Sequence, residues 1–489
     1  MYETFCSFFP FQKKMSTIKK IDKDSAEGVD NRLSIFSIPA TNVGILRSQY
    51  KELLPLNALN QSGGPFIFRL FAEGLYVDLS KIFIQISMRI ERKDAGTGDW
   101  VPLSKGDTEA LEGDRHVSVI QYLGLTWIRR LTMAINGVQC YDSQMLYAYR
   151  ALILHDLSST AEVNKGIYEA GLYVDDGLNK NYYDGIGFKQ RAVRFQAGKQ
   201  CKTLAHLDFD LARQDQLLIP HSDIVWTIYK NSDEFLLMTP AYQKTLGLPA
   251  LAKGDPVPPP VYVKNETPYR LKLDDLRLFV KQVDLSASLN NAIARHLESS
   301  PAKYAFKKVE MRNVFLGKGR QEVTHPVFTS SCPRRLIVCF VKSEAFNGDR
   351  TLSPFTFLHA YVRSISAEFG GYTFPSVAYD FDFDNNDYVR AFVDMYVGMG
   401  YDTWPSVDQK TLAISMREFA LHSCFFVIPM TSTLEDTAGM ELIRSGTTLL
   451  KCQFSEPVRD EGYEMIVLGE FDSVLTINAD RVLSTDGSV

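Results

Sequence analysis

Apolar and polar residues alternate along much of this chain. In Lys81-Ile-Phe-Ile-Gln-Ile-Ser-Met-Arg-Ile90 every even position is apolar and most odd ones are polar. A period of two predicts a β-strand with one face in a core. Similar runs are Trp127–Ile135, Leu204–Leu211, Ile224–Tyr229, Tyr269–Val283, Phe306–Phe315, Leu336–Val341, Phe355–Ile365, Phe419–Ile428, Thr447–Phe454 and Tyr463–Ile477. Helical spacing is confined to a few stripes. These are Met145, Tyr149, Leu152 and Ile153; Leu289, Ile293 and Leu297; and Tyr388, Phe392, Met395 and Tyr396. Many strands with few helices predict sandwiches or barrels.

The order of elements repeats. Ala134-Ile-Asn-Gly137 ends a strand and leads, through a loop, to a helix with Tyr149-Arg150-Ala151. Ala367-Glu-Phe-Gly-Gly371 ends another and leads to a helix with Val389-Arg390-Ala391. Each helix gives way to a further strand, Leu204–Phe209 or Phe419–Phe425, and each half closes with two long strands. One β-sandwich unit used twice explains this order. The expected organisation is an N-terminal arm over residues 1–59, a first unit over 60–285, a linker helix over 286–301 and a second unit over 302–489. Ser286 or Ser288 would cap the linker helix. The Pro-rich stretch 254–260 reads as a loop inside the first unit. The arm carries Lys13, Lys14, Lys19, Lys20 and Lys23, and an aromatic patch of Phe5, Phe8, Phe9 and Phe11.

Composition narrows the function classes. The 489 residues are 45% hydrophobic and 23% charged, the balance of a folded, soluble protein. Lys and Arg number 53 against 58 Asp and Glu, a net charge of −5, so electrostatic packaging of nucleic acid by the folded body is not expected. No apolar run approaches the roughly 18 residues of a spanning helix. The N-terminus lacks the basic start of a secretory signal. Seven cysteines without a close framework read as reduced thiols.

Catalytic chemistry leaves little trace. Leu316-Gly-Lys-Gly319 has neither a Walker pattern nor a third dinucleotide glycine and reads as a turn. The eight histidines form no His-x-His or His-Glu-x-x-His, and Cys332 and Cys339 have no second pair for a zinc ribbon. Asp380-Phe-Asp-Phe-Asp384 resembles the start of a calcium loop, but Asn385 and Ala391 stand where an EF-hand needs Gly and a carboxylate. It reads instead as a solvated loop, with Asp387 capping the next helix. No Gly-x-Ser-x-Gly elbow occurs. The expectation is no catalytic, cofactor-binding or metal-binding residue.

A family resemblance runs through the chain. Tyr76-Val-Asp-Leu-Ser-Lys81, Ile135-Asn-Gly137, Tyr147-Ala-Tyr-Arg-Ala151 and Glu234-Phe-Leu-Leu-Met238 are similar, in order, to segments of the major capsid proteins encoded by Polinton (Maverick) elements. Ala302-Lys-Tyr304, Cys332-Pro-Arg-Arg-Leu-Ile337, Ala345-Phe-Asn-Gly348 and Pro354-Phe-Thr-Phe357 continue the series. The resemblance implies a tandem double jelly roll, two eight-stranded antiparallel β-sandwiches with a few short helices. It also implies a structural tile rather than an enzyme: a homotrimer forming pseudo-hexameric capsomers of an icosahedral capsid. Implied partners are copies of the chain itself, a penton protein and minor capsid proteins, with no sequence-specific nucleic acid and no transmembrane segment. The implied place is the virion, after synthesis in the host cytoplasm, with nuclear assembly as one route. A double jelly-roll enzyme or carbohydrate-binding protein is the alternative.

Overall fold

The computed structural model describes residues 41–59, 64–104, 109–160, 166–244, 261–401, 412–431, 442–459 and 461–485, with isolated positions elsewhere. The arm's lysines, its phenylalanines and the Pro-rich stretch 254–260 lie outside the described residues. Residues 1–44 form one unit and residues 45–489 a second, compact one that holds every strand discussed below.

Sixteen strands build two sandwiches. The first eight are β1 (Ile45–Leu53), β2 (Phe66–Ala72), β3 (Tyr76–Lys93), β4 (Ile128–Ile135), β5 (Val138–Asp142), β6 (Cys201–His206), β7 (Ser222–Lys230) and β8 (Tyr269–Leu285). The second eight are β9 (Ala302–Leu316), β10 (Glu322–Phe328), β11 (Arg335–Lys342), β12 (Val362–Phe369), β13 (Tyr372–Phe374), β14 (Phe426–Pro429), β15 (Thr448–Phe454) and β16 (Tyr463–Ile477). The first sandwich has sheets ordered β1-β8-β3-β6 and β2-β7-β4-β5. The second has β9-β16-β11-β14 and β10-β15-β12-β13. Adding eight to each label of the first order gives the second, and all these pairings are antiparallel. This is the jelly-roll order, present twice.

Local chemistry explains the matching elements. On β3 the even residues Ile82, Ile84, Ile86, Met88 and Ile90 are buried, and on β2 Phe66, Phe68 and Leu70 point inward. The two hairpins that marked the repeat are equivalent. Asn136 and Gly137 join β4 to β5 with φ of 51° and 81°, and Gly370 and Gly371 join β12 to β13 with 58° and 82°. Two successive positive φ values define the tight hairpin turn that Asn-Gly and Gly-Gly accept. Five helices matter here: α1 (Tyr147–Asp156), α2 (Ile186–Val193), α3 (Ala287–Ser299), α4 (Val389–Gly398) and α5 (Met416–Leu421). α1 lies between β5 and β6, and α4 lies between β13 and β14.

Several expectations need correction. Ile45–Leu53, assigned to the arm, is β1, an edge strand paired with β8. Its charged, mostly exposed residues hide the alternation that would have announced it. The Phe419–Ile428 strand is a helix followed by a short strand. Ser415 accepts from the Glu418 backbone and the Glu418 side chain returns to Ser415, a capping box that starts α5. Within Phe355–Ile365 the strand begins only at Val362, and Leu204–Leu211 turns at His206 into a short 3-10 helix, Asp210–Arg213. α3 starts after Ser286, but no side chain caps it. α4 is preceded by Tyr388, also without a side-chain cap, while Asp387 bridges back to Asp382 through the backbone.

Candidate assembly site at the junction of the two jelly rolls

The longest apolar run on β11 breaks the alternation rule. Arg335 through Val341 are all buried, and on β16 so are Tyr463 through Phe471. A strand buried on both faces needs no polar side. One face meets the second sandwich's own core. The other carries Cys339 and Glu464 within electrostatic reach of Tyr149 on α1, in the first jelly roll.

Tyr149 is the centre of the junction. Its ring stacks on Phe346 at 5.4 Å and 16°, and meets the edges of Phe355 at 5.6 Å and Phe235 at 5.9 Å. Phe346 and Phe355 come from the second jelly roll; Phe235 comes from the first. Aromatic pairs at these separations contribute about 0.5–1.5 kcal/mol each beyond their burial. The segment holding Phe346 is the short helix Ser343–Asn347, which ends at Gly348 with φ of 102°. A Cβ at Gly348 would lie 3.1 Å from the Cβ of Glu234 and 3.3 Å from the Glu234–Phe235 backbone. Both the dihedral and the approach require glycine.

Polar bonds fix the same segment. Thr239 N donates to Arg350 O at 2.6 Å, and Arg350 Nη1 donates to Thr267 O at 3.2 Å. Ser353 N donates to Asn181 Oδ1 at 2.6 Å. Lys180 is buried, donates from Nζ to Phe355 O at 2.9 Å and sits 5.8 Å from the centre of the Phe357 ring. Further along, the Tyr304 hydroxyl accepts from Ile219 N at 3.1 Å and donates to Leu217 O at 3.2 Å. Tyr76 Oη donates to Asn290 Oδ1 on α3 at 3.0 Å.

A cavity of about 370 Å³ opens beside this contact, lined by Asp156, Tyr173, Lys180, Ile414, Glu418 and His422 among others. Burial pushes the Asp156 carboxyl up to about 6, against the opposing pull of Lys180, and Tyr173 Oη donates to it at 2.9 Å. Burial, then the charge of Lys180, pulls His422 down to about 3, so the ring is neutral at neutral pH. His422 Nδ1 and Ser423 Oγ share a hydrogen bond of 2.9 Å.

Buried arginines brace the elements behind the junction. Arg150 of α1 is 1% exposed and donates to Asp208 at 2.9 Å and to Asp210 at 2.8 Å. Burial works against the charge of Asp208, but Arg150 and Arg213 outweigh it and hold the carboxyl well below its usual range. In the second jelly roll Arg334 pairs with Asp472 at 3.0 Å and Arg335 with Glu470 at 3.1 Å, joining the start of β11 to β16.

The segments that carried the sequence resemblance therefore converge. Tyr147–Ala151, Glu234–Met238, Ala345–Gly348 and Pro354–Phe357 meet at one contact, and Tyr304 crosses the same junction. Read singly they are strand and turn chemistry; their common role is visible only in space. Lys180, Asn181 and His422 were missed, because single polar residues in loops carry no periodic signal. The other candidates stay apart. Gly319, in the turn after β9, donates from its N to Val458 O in the segment between β15 and β16, Asp380 pairs with Arg363, and Asp382 is bonded by Asn385. Among the described residues, no group of His, Cys, Asp and Glu is arranged to hold a metal ion, and the six described cysteines are free. No helix among those residues is long and apolar enough to cross a membrane.

No protein-family model matches the chain. A Caenorhabditis elegans protein, described as uncharacterized protein F54H12.2, is 22% identical over 449 residues, covering 91% of this chain and 98% of its own. Among solved structures, a chain of the Sputnik virophage aligns with a TM-score of 0.58 at 12% identity, over 97% of this chain and 95% of its own. A chain of the PBCV-1 virus capsid gives 0.54 at 10%, over 93% and 100%. The mavirus major capsid protein gives 0.50 at 11%, over 98% and 97%. At such identities the likeness is one of fold, and it spans both jelly rolls. The chain has the double jelly-roll fold shared with viral capsid proteins.

Proposed function

We propose that this chain is a major capsid protein of the Polinton (Maverick) type, a structural tile without catalytic function. Three copies form a pseudo-hexameric capsomer, and capsomers build an icosahedral shell. One observation carries the reading: two jelly rolls of identical strand order are joined side by side by a ring-lined junction, so three copies supply six similar units. Virophage, PBCV-1 and mavirus chains of the same fold and extent support it. The full-length relative in a nematode supports an element carried in an animal genome. In this reading the chain works in the virion, alongside a penton protein and minor capsid proteins. Its domains are an arm, a first jelly roll, a linker helix at 286–301 and a second jelly roll from 302.

Native mass spectrometry and negative-stain microscopy of purified protein test the proposal. Trimers with hexagonal outlines, or closed shells, are the expected result. A stable monomer at micromolar concentration that never forms shells would sink it. The alternative, an enzyme or carbohydrate-binding protein on this fold, would place its ligand in the cavity beside Asp156 and His422.

A further inference from the structure

A second cavity, of about 270 Å³, shares Lys180 and His422 with the one described above. Its makeup is different. Asp156, Glu169, Asp175 and Glu418 line the first cavity, whereas no carboxylate lines the second. The charged groups of the second are two ammoniums, those of Lys180 and Lys342, joined by Asn181, Ser353, Thr356 and His422. Leucines supply most of the remaining wall. Both jelly rolls contribute. Lys180 and Asn181 come from the connection between β5 and β6, Lys342 ends β11, Ser353 and Thr356 precede β12, and His422 follows α5.

Donors outnumber their partners in this space. Lys180 is 7% exposed and spends one hydrogen on Phe355 O, which leaves two of its three donors. Neither Lys180 nor Lys342 makes an ion pair with a carboxylate among the described residues, and Asp156 acts on Lys180 only through space. The buried Thr356 Oγ1 has no hydrogen-bond partner, and neither has Nε2 of His422, a residue 5% exposed. The Gly177 carbonyl pulls on that ring from outside hydrogen-bond geometry. Asn181 Oδ1 is taken by Ser353 N, so the amide nitrogen remains to donate. Buried donors without partners are costly, and a buried ammonium without a counter-charge more so. We propose that this cavity binds a small dianion of the phosphate class across the seam between the two jelly rolls. Two ammoniums match its two charges, and the hydroxyl, amide and ring N–H groups bond its oxygens. The site lies within a single chain and does not depend on assembly. A ligand held only by the folded chain stabilises it by mass action.

The test uses the full chain at about pH 8, where phosphate is doubly ionised. Inorganic phosphate should raise the melting temperature above that in sodium chloride of equal ionic strength. The gain should saturate, unlike a general salting effect, and titration calorimetry should give one site per chain. Acetate, a monoanion, should bind far more weakly. Glycerol phosphate separates the sources: tighter binding than inorganic phosphate points to a phosphate ester, weaker binding to the free ion. Lys342→Met should weaken phosphate roughly 10–100-fold, the scale of a lost charged hydrogen bond. Thr356→Val should weaken it too, yet raise the melting temperature of the phosphate-free chain, because an orphan hydroxyl leaves the wall. A threonine with a purely structural role would lower that temperature instead. No gain beyond chloride overturns the site, as does phosphate binding that both substitutions leave unchanged. Acetate binding as tight as phosphate overturns the dianion.

Discussion

At the scale of single residues, the junction depends on groups that cannot be exchanged for their nearest relatives. Gly348→Ala meets both a positive φ and the Glu234–Phe235 backbone. It should cost about 1–3 kcal/mol, read as a lower urea midpoint, and an unchanged midpoint would refute the close approach. Arg150→Met leaves Asp208 and Asp210 buried without their shared partner. A loss of about 3–5 kcal/mol is expected from breaking such a pair on one side. His422 gives the pH dependence. Its folded value, about 3, lies below the unfolded value of about 6.5, so its contribution is full above pH 6.5 and is lost as pH falls toward 3. Asp156, raised to about 6, works the other way: its contribution is full below about pH 4 and is lost as pH rises toward 6. Thermal melts of His422→Gln should fall less steeply than wild type between pH 6.5 and 4. Parallel curves would show that His422 is not held neutral.

At the scale of elements, legibility followed exposure. β3 announced itself because one apolar side faces a core, and α1 and α4 because their stripes recur at helical spacing. The positive-φ turns at Asn136-Gly137 and Gly370-Gly371 gave the repeat its registration. β1 was illegible for the converse reason. It lies at a sheet edge, and Arg47, Lys51 and Glu52 occupy the alternation that a covered strand would fill with apolar residues. α5 was hidden by Phe419-Ala-Leu-His-Ser-Cys-Phe425, whose apolar content outweighed a capping signal lying just upstream. The junction was legible only as a set of unexplained short motifs, because contacts between residues some 200 positions apart leave no local pattern. The place of β1 makes a truncation informative. Removing residues 1–44 should leave the melting curve of the remainder intact. Removing 1–59 strips β1 from β8, and should lower the melting temperature and promote aggregation through the bared edge. Equal behaviour of the two truncations would mean that β1 contributes nothing.

At the scale of the whole molecule, residues 45–489 behave as one body. Stacked rings, a buried lysine and backbone bonds cross between the jelly rolls, so neither half has a finished surface at the junction. Calorimetry of the intact chain should therefore show one cooperative transition. Tyr149→Ala removes the ring at the centre, at a cost of about 3–5 kcal/mol, and should split or broaden that transition. Two well-separated transitions in the wild-type chain would contradict the account.

The sheet order also sets a timetable for synthesis. β8 is the last strand of the first jelly roll to be made, yet it sits between β1 and β3, with Ile45 paired to Leu285. At translation speeds of about 5–20 residues per second, β1 waits roughly 10–50 s for its partner. Throughout that interval the nascent chain carries two unpaired edges and an open apolar layer, the state in which chains stick to one another. The second jelly roll repeats the problem, since β16 sits between β9 and β11. Ribosome-bound chains halted before residue 269 should be cut by protease throughout the first sandwich, whereas chains extended well past 285 should resist. Each copy of the chain must cross this window, in which bare edges and an open apolar layer favour sticking over folding.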